Sequence, residues 1–263
     1  MNTAGRLLTV LAITLSAVAA QATPSSVPLA GGVATLEVPP GMRFLDAAAT
    51  APIREGIWGN APDATVIGML VRDGLDPRAA DRWAVTVHWQ PIGWVATEEW
   101  TALDGDALLA AWRAQTDELN QQRAARNEQP IEILALASPP RSDPQRATAF
   151  WAKRYRIAGD ELIACESRAF GRDGIVVLKA TGTPDLLAEL AAASEAALAR
   201  VSFAPGRRHA DHVAGDKTGT LATAGLIARG VWDQMSTMQR ILLGVLAASA
   251  LFALIRFVAR LFG

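Results

Sequence analysis

The stretch Ala149-Phe-Trp-Ala-Lys-Arg-Tyr-Arg-Ile157, Ala158-Gly-Asp160, Leu162-Ile-Ala-Cys-Glu-Ser-Arg-Ala-Phe170, Gly171-Arg-Asp-Gly174, Ile175-Val-Val-Leu-Lys-Ala-Thr181 reads as three strands joined by two tight turns. β-Branched and aromatic residues fill the three runs, and Gly with Asp occupies both breaks, which is hairpin chemistry. Connections this short make the neighbouring strands antiparallel. Upstream, Trp83-Ala-Val-Thr-Val-His-Trp89 alternates with period two. Trp83, Val85, Val87 and Trp89 point one way, and Ala84, Thr86, His88 and Gln90 the other. Two more strands are predicted at 65–71 and 131–136. In 31–45, Val33, Thr35 and Glu37 alternate against Ala34, Leu36 and Val38 before Pro39-Pro40-Gly41, which predicts a β-hairpin. The segment 138–144, with three prolines, reads as a loop.

Helical signals fall between these runs. Residues 47–60 carry a short helix signal that ends near Gly59-Asn60-Ala61-Pro62. Asp104 is suited to cap a long helix over about 105–127, in which Leu108, Leu109, Trp112, Thr116 and Leu119 line one stripe. Thr183 caps a second helix over 184–200, with Pro184 at its first position and Leu187, Leu190 and Leu198 turned to the sheet. Runs of strands with two packing helices predict an α+β fold: a mostly antiparallel sheet covered by two main helices. The order of elements is similar to the PsbP-like arrangement. The body is expected to form one domain over 28–204, followed by a linker and juxtamembrane segment at 205–237.

The two ends differ from this body. The chain has 263 residues, 51% of them hydrophobic and 19% charged, fewer charges than an ordinary soluble domain carries. Residues 1–22 hold one charged side chain, Arg6, and residues 241–263 hold two, Arg256 and Arg260. Removing those three takes the 25 basic residues to 22 against 26 acidic, so the middle has a net charge of −4. A basic start, the apolar run 7–20 and Ala20-Gln21-Ala22 predict a signal peptide over 1–22, cleaved after Ala22; the alternative is an uncleaved anchor. The uncharged run 241–255 is 15 residues, about 22 Å as a helix, and flanking residues extend it to a predicted transmembrane helix over 238–260. A helix lying in the interface is the other reading, since Arg256 and Arg260 share a face. Together the ends predict a single-pass protein of the bacterial inner membrane, with its body in the periplasm and a short C-terminal tail in the cytoplasm, consistent with the positive-inside rule.

An acidic body of ordinary composition excludes a disordered chain and a basic nucleic-acid binder. No phosphate-binding loop, dinucleotide glycine pattern, nucleophile elbow or H-E-x-x-H motif occurs. No catalytic constellation and no cofactor are called for. Cys165, the one cysteine, reads as a small buried residue. His88 reads as an ordinary hydrogen-bonded histidine. Glu98, Glu99, Asp104 and Asp106 read as loop and helix-capping charge. Trp58, Trp94 and Trp100 flank turns and are candidates for exposure. Two groups are candidate sites. Arg154, Arg156, Arg168 and Arg172 come from the meander; Arg154, Arg168 and Arg172 are the candidate binding residues for an anion or lipid head group, with a solvated face paired to Glu161 and Glu166 as the bland alternative. His209, Asp211 and His212 have metal-ligand chemistry but form an incomplete set, in what reads as linker.

Several runs resemble a family of predicted bacterial membrane-anchored proteins, domain of unknown function 2167. They are Gly56-Ile-Trp-Gly-Asn60, Val66-Ile-Gly-Met69, Trp83-Ala-Val85, Gly93-Trp-Val95, the helix end at 120–126, Trp151-Ala152 and Arg168-Ala-Phe-Gly-Arg172-Asp-Gly174. Phe203-Ala-Pro-Gly206 and His209-Ala-Asp211 fall where that family tends to have F-x-x-G and Y-x-D, with His209 in place of the usual Tyr. The resemblance spans roughly residues 30 to 231. It implies exported, membrane-tethered domains and carries over no catalytic residues. The expected function is therefore a membrane-anchored periplasmic binding module, non-enzymatic, with the membrane and an envelope protein as partners and no nucleic acid. An anion or lipid head-group sensor and a metal-dependent envelope hydrolase are the alternatives.

Overall fold

The computed structural model describes residues 26–221, apart from 59, 61, 79–82 and 126. In chain order the strands are β1 (Ser26–Leu29), β2 (Ala34–Glu37), β3 (Met42–Asp46), β4 (Val66–Arg72), β5 (Val85–Gln90), β6 (Trp94–Val95), β7 (Ile131–Asp143), β8 (Thr148–Ile157), β9 (Asp160–Phe170), β10 (Ile175–Gly182), β11 (Val201–Phe203) and β12 (Thr218–Gly219). The α-helices are α1 (Ala47–Ala51), α2 (Thr97–Thr101), α3 (Gly105–Ala125) and α4 (Leu187–Leu198).

The meander forms as the sequence predicts and continues inward. Seven strands pair in the order β3-β4-β5-β10-β9-β8-β7, every neighbouring pair antiparallel. Residues opposite each other in register share a face. Thr86, Lys179, Glu166 and Trp151 form one cross-strand row, and Val87, Leu178, Ser167 and Phe150 the row on the other side. The fold is α+β, with helices on both faces of this sheet.

One face is closed over its central strands. α4 lies across it with Leu190, Ala197 and Leu198, and a small sheet ordered β1-β2-β11 adds Leu29, Ala34 and Leu36. Beneath them sit Leu70, Val85, Val87, Phe150, Cys165, Leu178 and Ala180. Cys165 belongs to this core, and burial pushes its thiol up to about 11, so it is inert. The other face is covered in two separate patches. At one side α3 brings Leu108 and Trp112, and α2 brings Trp100, onto Ile133, Trp151, Phe170, Ile175 and Val177. At the far side Ile53 packs on Met69, Val71 and Ala84. The helix signal at 47–60 is realised here as α1 followed by a π-type turn, Pro52–Ile57. Asp104 caps α3 as expected, its Oδ1 accepting the Ala107 N–H at 2.8 Å.

Three expectations are corrected. The hairpin over 31–45 does not form: β2 pairs with β1 and β11, while β3 pairs with β4 in the large sheet. Alternation marks a strand and Pro-Pro-Gly marks a bend, but neither fixes the partner. The proline segment 138–144 is mostly strand, at the edge, where the register against β8 shifts between Ile133 and Arg141. A missing N–H is tolerated at such an edge. The segment read as linker from 205 is folded onto the body as far as Leu221, which is buried beside Trp100 in the α3-side core. No helix among the described residues is long and apolar enough to cross a membrane. The predicted span at 238–260 and the signal segment 1–22 lie outside the described residues.

Candidate functional site

The two patches leave a strip of the sheet between them. On the closed face Val85, Val87, Leu178, Ala180 and Cys165 are all 0% exposed. Their neighbours on the opposite face of the same central strands, Thr86, Lys179 and Glu166, remain partly exposed. The space over this strip, between the α3 patch and the α1 patch, is the candidate cleft.

Its floor is charged. Glu166 accepts hydrogen bonds from Arg168, with Nε at 2.7 Å and Nη2 on the same oxygen. Arg168 is 1% exposed, and its guanidinium lies 5.2 Å from the Trp151 ring centroid. Its Nη1 is buried without a hydrogen-bond partner. The Lys153 ammonium sits 5.1 Å above the Trp112 ring, and Lys179 stands next to Glu166 in register. Burial alone would raise the Glu166 carboxyl. The charges of Arg168, Lys179 and Lys153 outweigh it and bring the group down to about 2. Lys153 is pushed below the ordinary lysine range by burial, with Lys179 and Arg168 as like charges and Glu166 opposing them.

At the α1 end the cleft holds a short polar chain. Asp63 accepts from the Thr65 N–H at 2.9 Å, and the Thr65 hydroxyl lies 2.6 Å from the same carboxylate oxygen. His88 is placed with Nδ1 3.0 Å from the Thr65 hydroxyl and 3.5 Å from Asp63, and Nε2 3.0 Å from the Thr86 hydroxyl. The Thr86 hydroxyl donates to the Lys179 carbonyl at 3.2 Å. Burial and then the Lys179 charge lower the His88 ring to about 4 against the pull of Asp63, so the imidazole is neutral at pH 7. Burial would raise Asp63, but its hydrogen bonds to His88 and Thr65 hold it well below the carboxylate range.

The predicted arginines do not come together. Arg168 lies in the cleft. Arg154 and Arg156 are on the opposite face, because Arg154 registers with Ile163 and Arg156 with Glu161, whereas Arg168 registers with Ala149. Arg154 is exposed near Glu161, and Arg156 pairs with Glu132 and Glu161, so the paired-face reading holds for these two. Arg172 is engaged bidentately by Asp216, at 2.7 and 2.8 Å.

His209, Asp211 and His212 also do not converge on a point. Asp211 is taken by Arg208. His209 Nε2 is 2.8 Å from the Val95 carbonyl, and His212 Nδ1 is 3.1 Å from Asp216. Among the described residues no group of three or more His, Cys, Asp or Glu is arranged to hold a metal ion. These residues instead fasten the 205–221 strap. Trp94 stacks on His212 at 4.0 Å and on His209 at 5.1 Å, and donates its indole N–H to the His209 carbonyl. β12 runs parallel to β6. Gly93 makes this approach feasible: its φ is +95°, and a Cβ there would lie 2.2 Å from the Lys217 carbonyl oxygen. Trp100, a candidate for exposure, is 1% exposed and stacked on Phe170.

Sequence reasoning missed Lys153, Glu166, Lys179 and Asp63 as site residues. One signal was present. Period two puts Lys153 in the row of Trp151, and Glu166 in the row of Arg168, so charged residues alternate into a face that also carries tryptophan. That the face is left uncovered there depends on where α1 and α3 dock, which alternation does not encode.

A family model described as "Protein of unknown function (DUF2167)" matches residues 21–259. No curated protein matches the chain. Two solved structures are similar in fold to a limited degree. The cyanobacterial PsbP of Synechocystis shares 9% identity, covers 68% of this chain and 91% of its own, and has a TM-score of 0.38. LpqN of Mycobacterium tuberculosis, described as involved in cell envelope biogenesis, shares 14% identity, covers 65% and 83%, and has a TM-score of 0.35.

Proposed function

The chain belongs to the DUF2167 family of proteins of unknown function, and on that premise we propose that it is a membrane-tethered periplasmic domain that binds an envelope component in the cleft between α1 and α3. The observation that carries the binding role is the strip on the central strands where Thr86, Lys179 and Glu166 stay partly exposed, opposite the sealed Val85, Val87, Leu178, Ala180 and Cys165. A binding module needs a few oriented polar groups on a partly accessible surface, and this strip supplies them. The tether rests on the apolar run 241–255 and its flanking arginines, and export rests on the signal pattern of 1–22. The strap at 205–221 precedes that run in the sequence and is fixed to the body through Trp94 on His212 and Arg172 on Asp216.

Two measurements test this reading. A cytoplasmic reporter fused after Gly263 should be active, and a periplasmic reporter inserted after Gly206 should be active; the reverse pattern overturns the topology. A photo-crosslinking residue at position 179 should capture an envelope component in cells, while one at position 154, on the opposite face, should not. Equal capture at both positions, or none at 179, overturns the binding role of the cleft.

A further inference from the structure

The charges in the cleft do not balance. Lys153, Arg168 and Lys179 bring three positive charges to one carboxylate, Glu166, leaving +2. Around the neutral His88, Asp63 and the buried Arg54 of the π-type turn contribute one charge of each sign. This excess sits inside a body whose net charge is −4, so it is not part of a generally basic surface. The outer arginines behave differently: Arg156 is matched by Glu132 and Glu161 on the opposite face. Among the described residues, hydrogen bonds and ion pairs tie Glu166 to Arg168 alone, and the two lysines feel its charge only through space.

A second observation points the same way. The Arg168 side chain is 1% exposed and held in place by Glu166 and the Trp151 face, yet its Nη1 donor has no acceptor. A buried guanidinium N–H without a partner is costly and is normally satisfied. Three clustered cationic groups, with charge left over and one buried N–H unpartnered, match a tetrahedral oxyanion, which can take several hydrogen bonds at once.

We infer that the cleft binds a phosphate group, held between the ammonium groups of Lys153 and Lys179 and the free Nη1 of Arg168. The inference rests on the cleft being a binding site and names what it takes. Glu166 is then not a competitor for the ligand. It fixes Arg168 from one side, so that the remaining N–H is presented in one direction. The phosphate belongs either to a free small anion, which can carry two charges, or to a phospholipid head group, whose diester carries one; both present the same tetrahedral phosphate oxygens to the three cations.

The test uses the full chain in an uncharged detergent. Inorganic phosphate and a soluble short-chain phosphatidylglycerol are titrated separately by calorimetry, with thermal unfolding followed in parallel. At least one should bind and raise the Tm. Phosphate binding identifies a site open to free anions; binding of the lipid alone identifies a head-group site. Lys179→Met should weaken binding about tenfold or more, as expected for loss of a charge-assisted hydrogen bond. It should leave the unliganded protein at least as stable, because a like charge is removed. Lys153→Met should act in the same direction, and Arg154→Met should bind as the parent does. The inference is overturned if neither compound binds, if Lys179→Met binds with parental affinity, or if Arg154→Met is weakened equally. Phosphate binding that persists while crosslinking at position 179 fails in cells removes the envelope reading and leaves the phosphate site standing.

Discussion

The two faces of the seven-stranded sheet are built from the same strands and do different work. On the α4 side the middle of the central strands is apolar and sealed, from Val85 and Val87 through Leu178 and Ala180 to Cys165. On the α3 side the same strands present Thr86, His88, Lys179, Glu166 and Arg168. One residue of register separates a stabilising surface from a charged one. The contrast teaches that this domain can carry a costly group of charges because the reverse face supplies an uninterrupted apolar core.

Four measurements break or sharpen that contrast. The largest effect is expected on the closed face. Leu178→Ala should lower the unfolding free energy by about 2–5 kcal/mol, through lost burial and a residual cavity, with an unchanged slope in urea. A loss below about 1 kcal/mol would mean that this face is not the main source of stability. Next, Glu166→Gln leaves Arg168, Lys153 and Lys179 without a counter-charge. Glu166 keeps 17% of its side chain exposed, so the cost should be about 2–3 kcal/mol, below that of a fully buried pair. Adding Lys153→Met should recover part of it, and a purely additive double variant would show that the charges do not interact.

The third measurement is the pH dependence of stability. His88 binds its proton near 6.5 when unfolded and near 4 when folded, so the unfolded chain holds more protons between those values. Stability should therefore fall as pH drops from about 6.5 toward 4, and His88→Gln should flatten that part of the curve. Glu166 acts in a lower window. Its folded value near 2 lies below the unfolded 4.5, so its contribution is complete above about 4.5 and is lost as pH falls toward 2. Glu166→Gln should flatten only this lower segment, and a change in the upper one would contradict the assignment. The smallest effect belongs to the outer arginines: Arg154→Ala should change stability by no more than about 0.5 kcal/mol in denaturant titrations, since its pairing with Glu161 is long and exposed.

The strands, their alternation and the two main helices were legible in the sequence because each is a local signal. Trp83 to Trp89 shows this well: Val85 and Val87 do enter one core, and Thr86 and His88 do take the other side. The hairpin at 31–45 was misread because Ala34 and Leu36 are recruited by β1 and β11, which are distant or equivocal in sequence. The strap was misread as linker because glycines and charges at 205–220 look solvated, whereas Trp94, Asp216 and Arg172 bind them to the sheet. Of the candidate residues, Arg168 was found for its charge, but it was grouped with Arg154 and Arg156, which register places on the other face.

Taken alone, the sequence determined the antiparallel meander, the class of the fold, the acidic body between two apolar ends and the likeness to its family. Periodicity, turn chemistry and composition are properties of short segments, and they survive without knowledge of partners. Only the tertiary structure decided that the sheet has seven strands with β5 and β10 at its centre, that α1 and α3 cover one face incompletely, and that Lys153, Glu166, Arg168 and Lys179 meet in the gap. Those facts depend on which distant strands pair and on where helices dock, and pairing energy is shared among residues far apart in the chain.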